Sequence, residues 1–386
     1  MQATRRFVRR ASVVLLSTFL VGPVFGDSTG PLLSVSRLFK AKDSYTGPAA
    51  TKIAEFKEAF VVGGMDFNAD GTNLATNAML DGQDVHVRDW RNSHLIRVLH
   101  KEAPAGAGMA IRYSPDGTLL AVGHELENVG DRFRVVRIWD TRTGQIVHDL
   151  GDAQRASDTM GFAFTPDGKM FVRTADRVGH SGEYMVVHRT DTWEEVWGLP
   201  TLPFIPQTLT LSPDGSFVVL AGSALEGPVE RVVSNNKLVI VDLKKRTIVR
   251  AIEHIFARGE VQTVAWSPDG RFLAVGTIVG DAAKEDPVAL RIFDAETGAQ
   301  LVDESASNSA FVSGLAFSSD GRFLVEGYID GKVRIWDGQH KELLQEIPVP
   351  DYPHPAISIS KDGRFLAIGD YQNVSIWEFK QTPAPH

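Results

Sequence analysis

A five-residue corner returns seven times along the chain, each copy placed between two short apolar runs. The copies are Phe67-Asn68-Ala69-Asp70-Gly71, Tyr113-Ser114-Pro115-Asp116-Gly117, Phe164-Thr165-Pro166-Asp167-Gly168, Leu211-Ser212-Pro213-Asp214-Gly215, Trp266-Ser267-Pro268-Asp269-Gly270, Phe317-Ser318-Ser319-Asp320-Gly321 and Ile359-Ser360-Lys361-Asp362-Gly363. Pro presets the first central position of a type I turn, Asp bonds back to the local backbone, and Gly takes the position that follows. The Asp residues recur at intervals of 42 to 55 residues, which leaves room for four short strands per unit. A unit of that size cannot bury its own faces, so each must stack on its neighbours; self-similarity at this period predicts one closed ring.

The fifth unit shows the plan most clearly. Strands a to d are expected at 261–266, 271–276, 288–294 and 299–304, punctuated by Asp269-Gly270 and Thr297-Gly298. Alternating and β-branched residues between such turns argue for antiparallel four-stranded sheets. The third strand also repeats, as Val135-Val136-Arg137-Ile138-Trp139-Asp140, Leu290-Arg291-Ile292-Phe293-Asp294, Val333-Arg334-Ile335-Trp336-Asp337 and Val374-Ser375-Ile376-Trp377-Glu378. With strand order, corner and Trp-Asp ending recurring together, residues 51–380 resemble the WD-repeat β-propeller family, in a divergent, exported bacterial form. The resemblance implies an all-β fold: a seven-bladed β-propeller of four-stranded antiparallel blades. Units one, three and four depart from the pattern: Val85 to Trp90 is shifted, His188-Arg189 replaces Trp-Asp, and so does Val241-Asp242. The Gly-His pair that opens many family repeats is missing, so the family's buried Ser/Thr-His-Asp network is not assumed. The seventh unit ends after its third strand, whereas residues 51–57 have the spacing of a fourth strand ahead of the first unit. That N-terminal strand is expected to complete the last blade and close the ring.

Outside the repeats, Arg5, Arg6, Arg9 and Arg10 precede an apolar run at 11–25, the pattern of a secretory signal peptide over residues 1–26. Residues 27–50 read as a linker and 381–386 as a C-terminal tail. Export to the periplasm or the cell exterior is expected, with no stable membrane span once the signal is removed; an uncleaved anchor is the rival reading. Loss of those arginines would take the formal charge from −8 to −12, a surface that repels phosphate backbones, so nucleic acid is not an expected partner. The short Lys244-Lys245-Arg246 run falls in a predicted hairpin turn. No cysteine is present, which removes disulfides, thiolate zinc sites, iron–sulfur clusters and thiol nucleophiles.

In the family's geometry strand a lies nearest the axis and the b–c and d–a connections share one face, the top. The b–c connections are long in units two to five, at 124–133, 175–182, 223–235 and 277–287. Function is commonly grafted onto such loops. The binding candidates are therefore Glu125, Glu127, Asp131, Arg155, Glu226, Glu230, Arg258, Asp281, Glu285 and Tyr352, an acid-rich set suited to a basic partner. An alternative groups Glu260, Asp158 and His354 at the axial mouth as a carboxylate and imidazole set for general-base or metal work.

Other signals of chemistry are weaker. No two of the eleven histidines lie two to four residues apart, so no zinc or copper motif is visible and no metal site is assigned. His188 reads as a packed residue at a Trp position. Gly179-His180-Ser181-Gly182-Glu183 lacks the final Gly and the flanking strand and helix of a nucleophile elbow. The function expected is thus a non-catalytic, monomeric scaffold of the bacterial cell envelope that binds a protein or peptide on its top face, without cofactor. The alternatives are a lactonase-like propeller hydrolase with an axial site and a small-ligand or cofactor carrier.

Overall fold

The computed structural model describes residues 47–78, 84–100, 105–128, 131–150, 157–158, 161–177, 185–200, 202, 204–226, 233–256, 260–278, 288–305, 312–338, 342–349 and 355–380. Its strands assemble into seven four-stranded sheets and one two-stranded ribbon, and every pairing is antiparallel. Six sheets run in sequence order, as in the fifth blade, where Glu260–Trp266, Phe272–Ile278, Val288–Asp294 and Gln300–Ser305 stand side by side. The seventh takes its outer strand from the opposite end of the chain. Ala50–Lys57 pairs with Asn373–Phe379, with Ala50 opposite Phe379 and Lys57 opposite Asn373. The closure expected of the sequence is present, and the ring is a seven-bladed propeller.

The corners form as their residue types require. Ser212 Oγ donates to Asp214 Oδ1 at 2.6 Å, that oxygen accepts the Ser216 amide at 3.0 Å, and Ser212 Oγ accepts the Phe217 amide at 2.9 Å. Ser114 with Asp116, Ser267 with Asp269, Ser318 with Asp320 and Ser360 with Asp362 repeat the bond, and Thr165 serves with Asp167. In the first blade Asn68 and Asp70 accept the amides of Asn73 and Thr72 instead. Gly at φ between 69° and 77° completes each corner, a conformation a Cβ would strain. The Ser212 hydroxyl and the Ser216 amide hold the Asp214 carboxyl below its usual range, and the Thr165 hydroxyl does the same for Asp167. These carboxylates are structural.

The Trp-Asp ending is a second turn device. Asp140 Oδ1 accepts the amide and the hydroxyl of Thr143 at 2.6 and 2.9 Å, while Trp139 is fully buried. Asp294 does the same with Thr297, and Asp242 takes the amides of Lys244 and Lys245, so the basic run is indeed a turn.

The core lies between blades rather than within them. Ala75, Val85 and Leu99 of the first blade pack with Ile111, Leu120, Val122 and Trp139 of the second. Equivalent clusters fill the remaining junctions, including that of Phe56, Phe365 and Ile376 with Met65, Leu74 and Trp90, where the last blade meets the first. Each blade is thereby half of two cores, which is why the ring must close to be stable.

Candidate functional site

Antiparallel connectivity puts the a–b corners and c–d turns at one end of every blade and the b–c and d–a connections at the other. Two of the long b–c connections are not loops over most of their length. In the second blade strand pairing runs on to Asn128 opposite Asp131, and in the fourth to Glu226 opposite Val233. Glu125, Glu127, Asp131 and Glu226 therefore sit on projecting two-stranded ribbons. The backbone register sets Glu125 opposite Arg134 and Glu127 opposite Arg132. The polar–apolar alternation of His124-Glu125-Leu126-Glu127 and Arg132-Phe133-Arg134-Val135 is the signal that marks these segments as strand, with Leu126 opposite Phe133. In the third blade Asp176–Arg177 pairs with Ser157–Asp158, Asp158 opposite Asp176.

Glu260 opens the inner strand of the fifth blade; its carbonyl accepts the Thr277 hydroxyl at 2.9 Å and its carboxylate lies 3.5 Å from Gln207 Nε2. Asp158 lies in the short ribbon, and His354 falls outside the described residues, as do Arg155, Glu230, Arg258, Asp281, Glu285 and Tyr352. Among the described residues no group of three or more His, Cys, Asp or Glu is placed to hold a metal ion.

Two buried polar networks escape sequence reasoning. Glu58, just past the closing strand, is fully buried at the top of the first blade. Its Oε1 accepts Thr76 Oγ1 and Arg88 Nε, both at 2.9 Å, and its Oε2 meets His86 Nδ1 at 2.6 Å and Arg88 Nη2 at 3.1 Å. Burial pushes the Glu58 carboxyl up, but the bonds and charges of His86 and Arg88 outweigh it and hold the group below its usual range. In the sixth blade Glu326 accepts Tyr328 Oη at 2.9 Å and Trp336 Nε1 at 2.8 Å. His188 is packed as expected: Arg173 Nε donates to its Nε2 at 3.1 Å, leaving Nδ1–H for the Trp193 carbonyl at 3.2 Å. Burial first, and Arg173 next, push its pKa down to about 4, so the ring is neutral.

The axis carries one further titratable group. Asp66, on the inner strand of the first blade, accepts the Tyr113 amide of the second blade at 2.7 Å and faces Ser358 Oγ of the seventh at 3.5 Å. Burial raises its pKa to about 6, against the opposing pull of Arg112 and the Tyr113 amide.

Two family models match parts of the chain: a WD domain, G-beta repeat, over 248–281, and the anaphase-promoting complex subunit 4 WD40 domain over 291–359. The chain carries WD40 repeats. The repeats are similar in sequence to guanine nucleotide-binding protein subunit beta of Oryza sativa subsp. indica, 29% identical over 132 residues, 31% of this chain and 33% of the relative. The same protein of Zea mays is 29% identical over 131 residues, 31% of this chain and 32% of the relative. Small ribosomal subunit protein RACK1 of Candida albicans is 29% identical over 136 residues, 33% of this chain and 35% of the relative. The chain thus spans about a third of the length of these curated relatives. Among the described residues the b–c strand pairing runs longest in blades two and four.

Proposed function

We propose that this WD40 propeller is a non-catalytic protein-binding scaffold, and that its partner docks on the face carrying the b–c ribbons. The observation that carries the reading is the strand pairing continued to Asn128–Asp131 and Glu226–Val233, which gives two stiff, polar projections on one face of a closed ring. Stiff projections lose little conformational entropy on binding, unlike floppy loops of the same length. Several similar proteins are themselves named as subunits of larger assemblies, which supports the same reading by analogy. We infer further that the scaffold is an exported monomer of the bacterial cell envelope; the Arg-rich, apolar start of the sequence supports export, and the acidic charge balance speaks against a nucleic-acid partner.

Affinity capture from native envelope extract tests this, comparing the intact chain with variants shortened at 124–133 and 223–235. Specific partners are expected to disappear when either ribbon is trimmed while the melting temperature holds. Unchanged recovery from both variants would remove the ribbons as the docking surface. Fractionation that leaves the chain in the cytoplasm would remove the envelope assignment.

A further inference from the structure

The seven corners form a ring of close contacts at the end opposite the ribbons. A Cβ built on Gly117 would meet Ala69 at 3.5 Å, on Gly168 Pro115 at 3.8 Å, on Gly215 Pro166 at 2.7 Å, on Gly321 Pro268 at 3.3 Å, on Gly363 Ser319 at 2.5 Å and on Gly71 Ser360 at 3.5 Å. Each corner thus leans on the one before it. Gly270 alone breaks the pattern: a Cβ there would meet no described heavy atom within 4 Å. At this junction the corner glycine does not lean on the corner of the fourth blade.

A cleft of about 620 Å³ opens at this break. Pro213, Phe217, Val249 and Trp266 give it apolar walls, and its size falls within the range of built ligand sites. The next junction, where Gly321 does touch Pro268, holds only about 270 Å³. Position 266 carries Trp where the other corners begin with Phe, Tyr, Leu or Ile; its Nε1 donates to the Gly270 carbonyl at 2.9 Å, and its indole lines the cleft.

The edge of the cleft is a strand. Thr247–Glu253 is the outermost strand of blade four, and it exposes Ile248 and Val249 side by side at 41% and 46%. An exposed apolar edge invites an added strand, which natural sheets ordinarily discourage with charge.

Charge narrows the occupant. Asp214 and Asp269 line the cleft and spend Oδ1 on their corners, while exposed Glu296 stands at its rim. These three carboxylates outnumber the two cations of the lining, Lys245, which lies 3.3 Å from Asp242, and Arg250, whose Nη1 donates to the Thr297 carbonyl at 2.7 Å.

We propose that the cleft between blades four and five is a second protein-interaction site, which takes an extended peptide. The peptide adds to the Thr247–Glu253 edge, seats an apolar side chain against Trp266 and Phe217, and sets a flanking Lys or Arg toward Asp214, Asp269 and Glu296. This site lies on the face opposite the ribbons and goes beyond the docking surface proposed above.

Display selection of a random nonapeptide library on the intact chain tests it, followed by titration of a selected peptide against Val249→Lys and Glu296→Lys. Both positions are exposed, so the variants fold, as an unchanged melting temperature will verify. The expected result is enrichment of an apolar residue flanked by Lys or Arg, with affinity falling about tenfold or more in each variant, the effect of a lost anchor or charge contact. No enrichment, enrichment of acidic peptides, or a peptide whose binding neither variant alters would overturn the proposal. Peptides lost only when the 124–133 ribbon is shortened would overturn the cleft and leave the scaffold reading standing.

Discussion

At the residue scale the fold depends on polar side chains whose partners come from distant parts of the chain. Glu58 is the acceptor for Thr76, His86 and Arg88, and a buried carboxylate in that position cannot be removed without stranding its donors. Glu58→Gln is expected to destabilise the propeller by about 3 kcal/mol, the usual cost of breaking a buried charged pair, as read from urea unfolding. His188 has a pH signature. Its pKa is about 4 in the fold and near 6.5 in an unfolded chain, so the unfolded state binds the extra proton. The stability it contributes is whole above pH 6.5 and is lost as pH falls toward 4. The loss should reach about 3 kcal/mol at the acid end. His188→Gln keeps an acceptor for Arg173 and should flatten that acid limb; an unaltered limb would mean that His188 is protonated or exposed in the fold.

Legibility from sequence divides by how local the chemistry is. The Asp-Gly corners and the Trp-Asp turns were readable because every partner lies within five residues, as in Ser212, Asp214 and Phe217. The Glu58 network was not readable, because the carboxylate follows one blade and its donors sit on two strands of another. The ribbon at 124–133 carries its alternation in the sequence, but the length of the connection alone points to a loop. The break at Gly270 left only a trace, the single Trp among the residues that open the corners.

At the scale of elements, the outer strands carry the risk and the closing strand carries the ring. Ile53, Leu95, Ile96, Val147, Ile248, Val249 and Leu343 are exposed on outer strands, each an edge of its sheet. Removal of Ala50–Lys57 would bare the edge of Asn373–Phe379 and strip Phe56 from the cluster with Met65 and Trp90. The deletion is expected to lower the thermal midpoint by more than 10 °C or to abolish a cooperative transition, since a large buried side chain and a whole ladder are lost together, on the order of 5 kcal/mol or more. An unchanged midpoint would show that the seventh blade is stable with three strands.

For the whole molecule, the axis is where blades seven, one and two meet on Asp66. Its raised pKa means that the folded state binds a proton more tightly than the unfolded chain, so its contribution is complete below pH 3.8 and declines as pH rises through about 6. Asp66→Asn is therefore expected to raise the melting temperature at pH 7.5 by an amount worth on the order of 2 kcal/mol and to change nothing at pH 3.5. A loss of stability at pH 7.5 would instead mark the charge as a favourable bridge to Arg112.

Every surface discussed above presupposes that the two ends of the chain meet in one blade. The absence of any cysteine makes that claim open to a direct test. Lys57 and Asn373 stand opposite each other across the closing ladder, within the span a disulfide can bridge. In the Lys57→Cys, Asn373→Cys double variant, mild oxidation should give a monomeric intramolecular disulfide, found by peptide mapping as a link between the first and last strands of the propeller. Two free thiols after oxidation, or only cross-linked dimers, would contradict the closed ring.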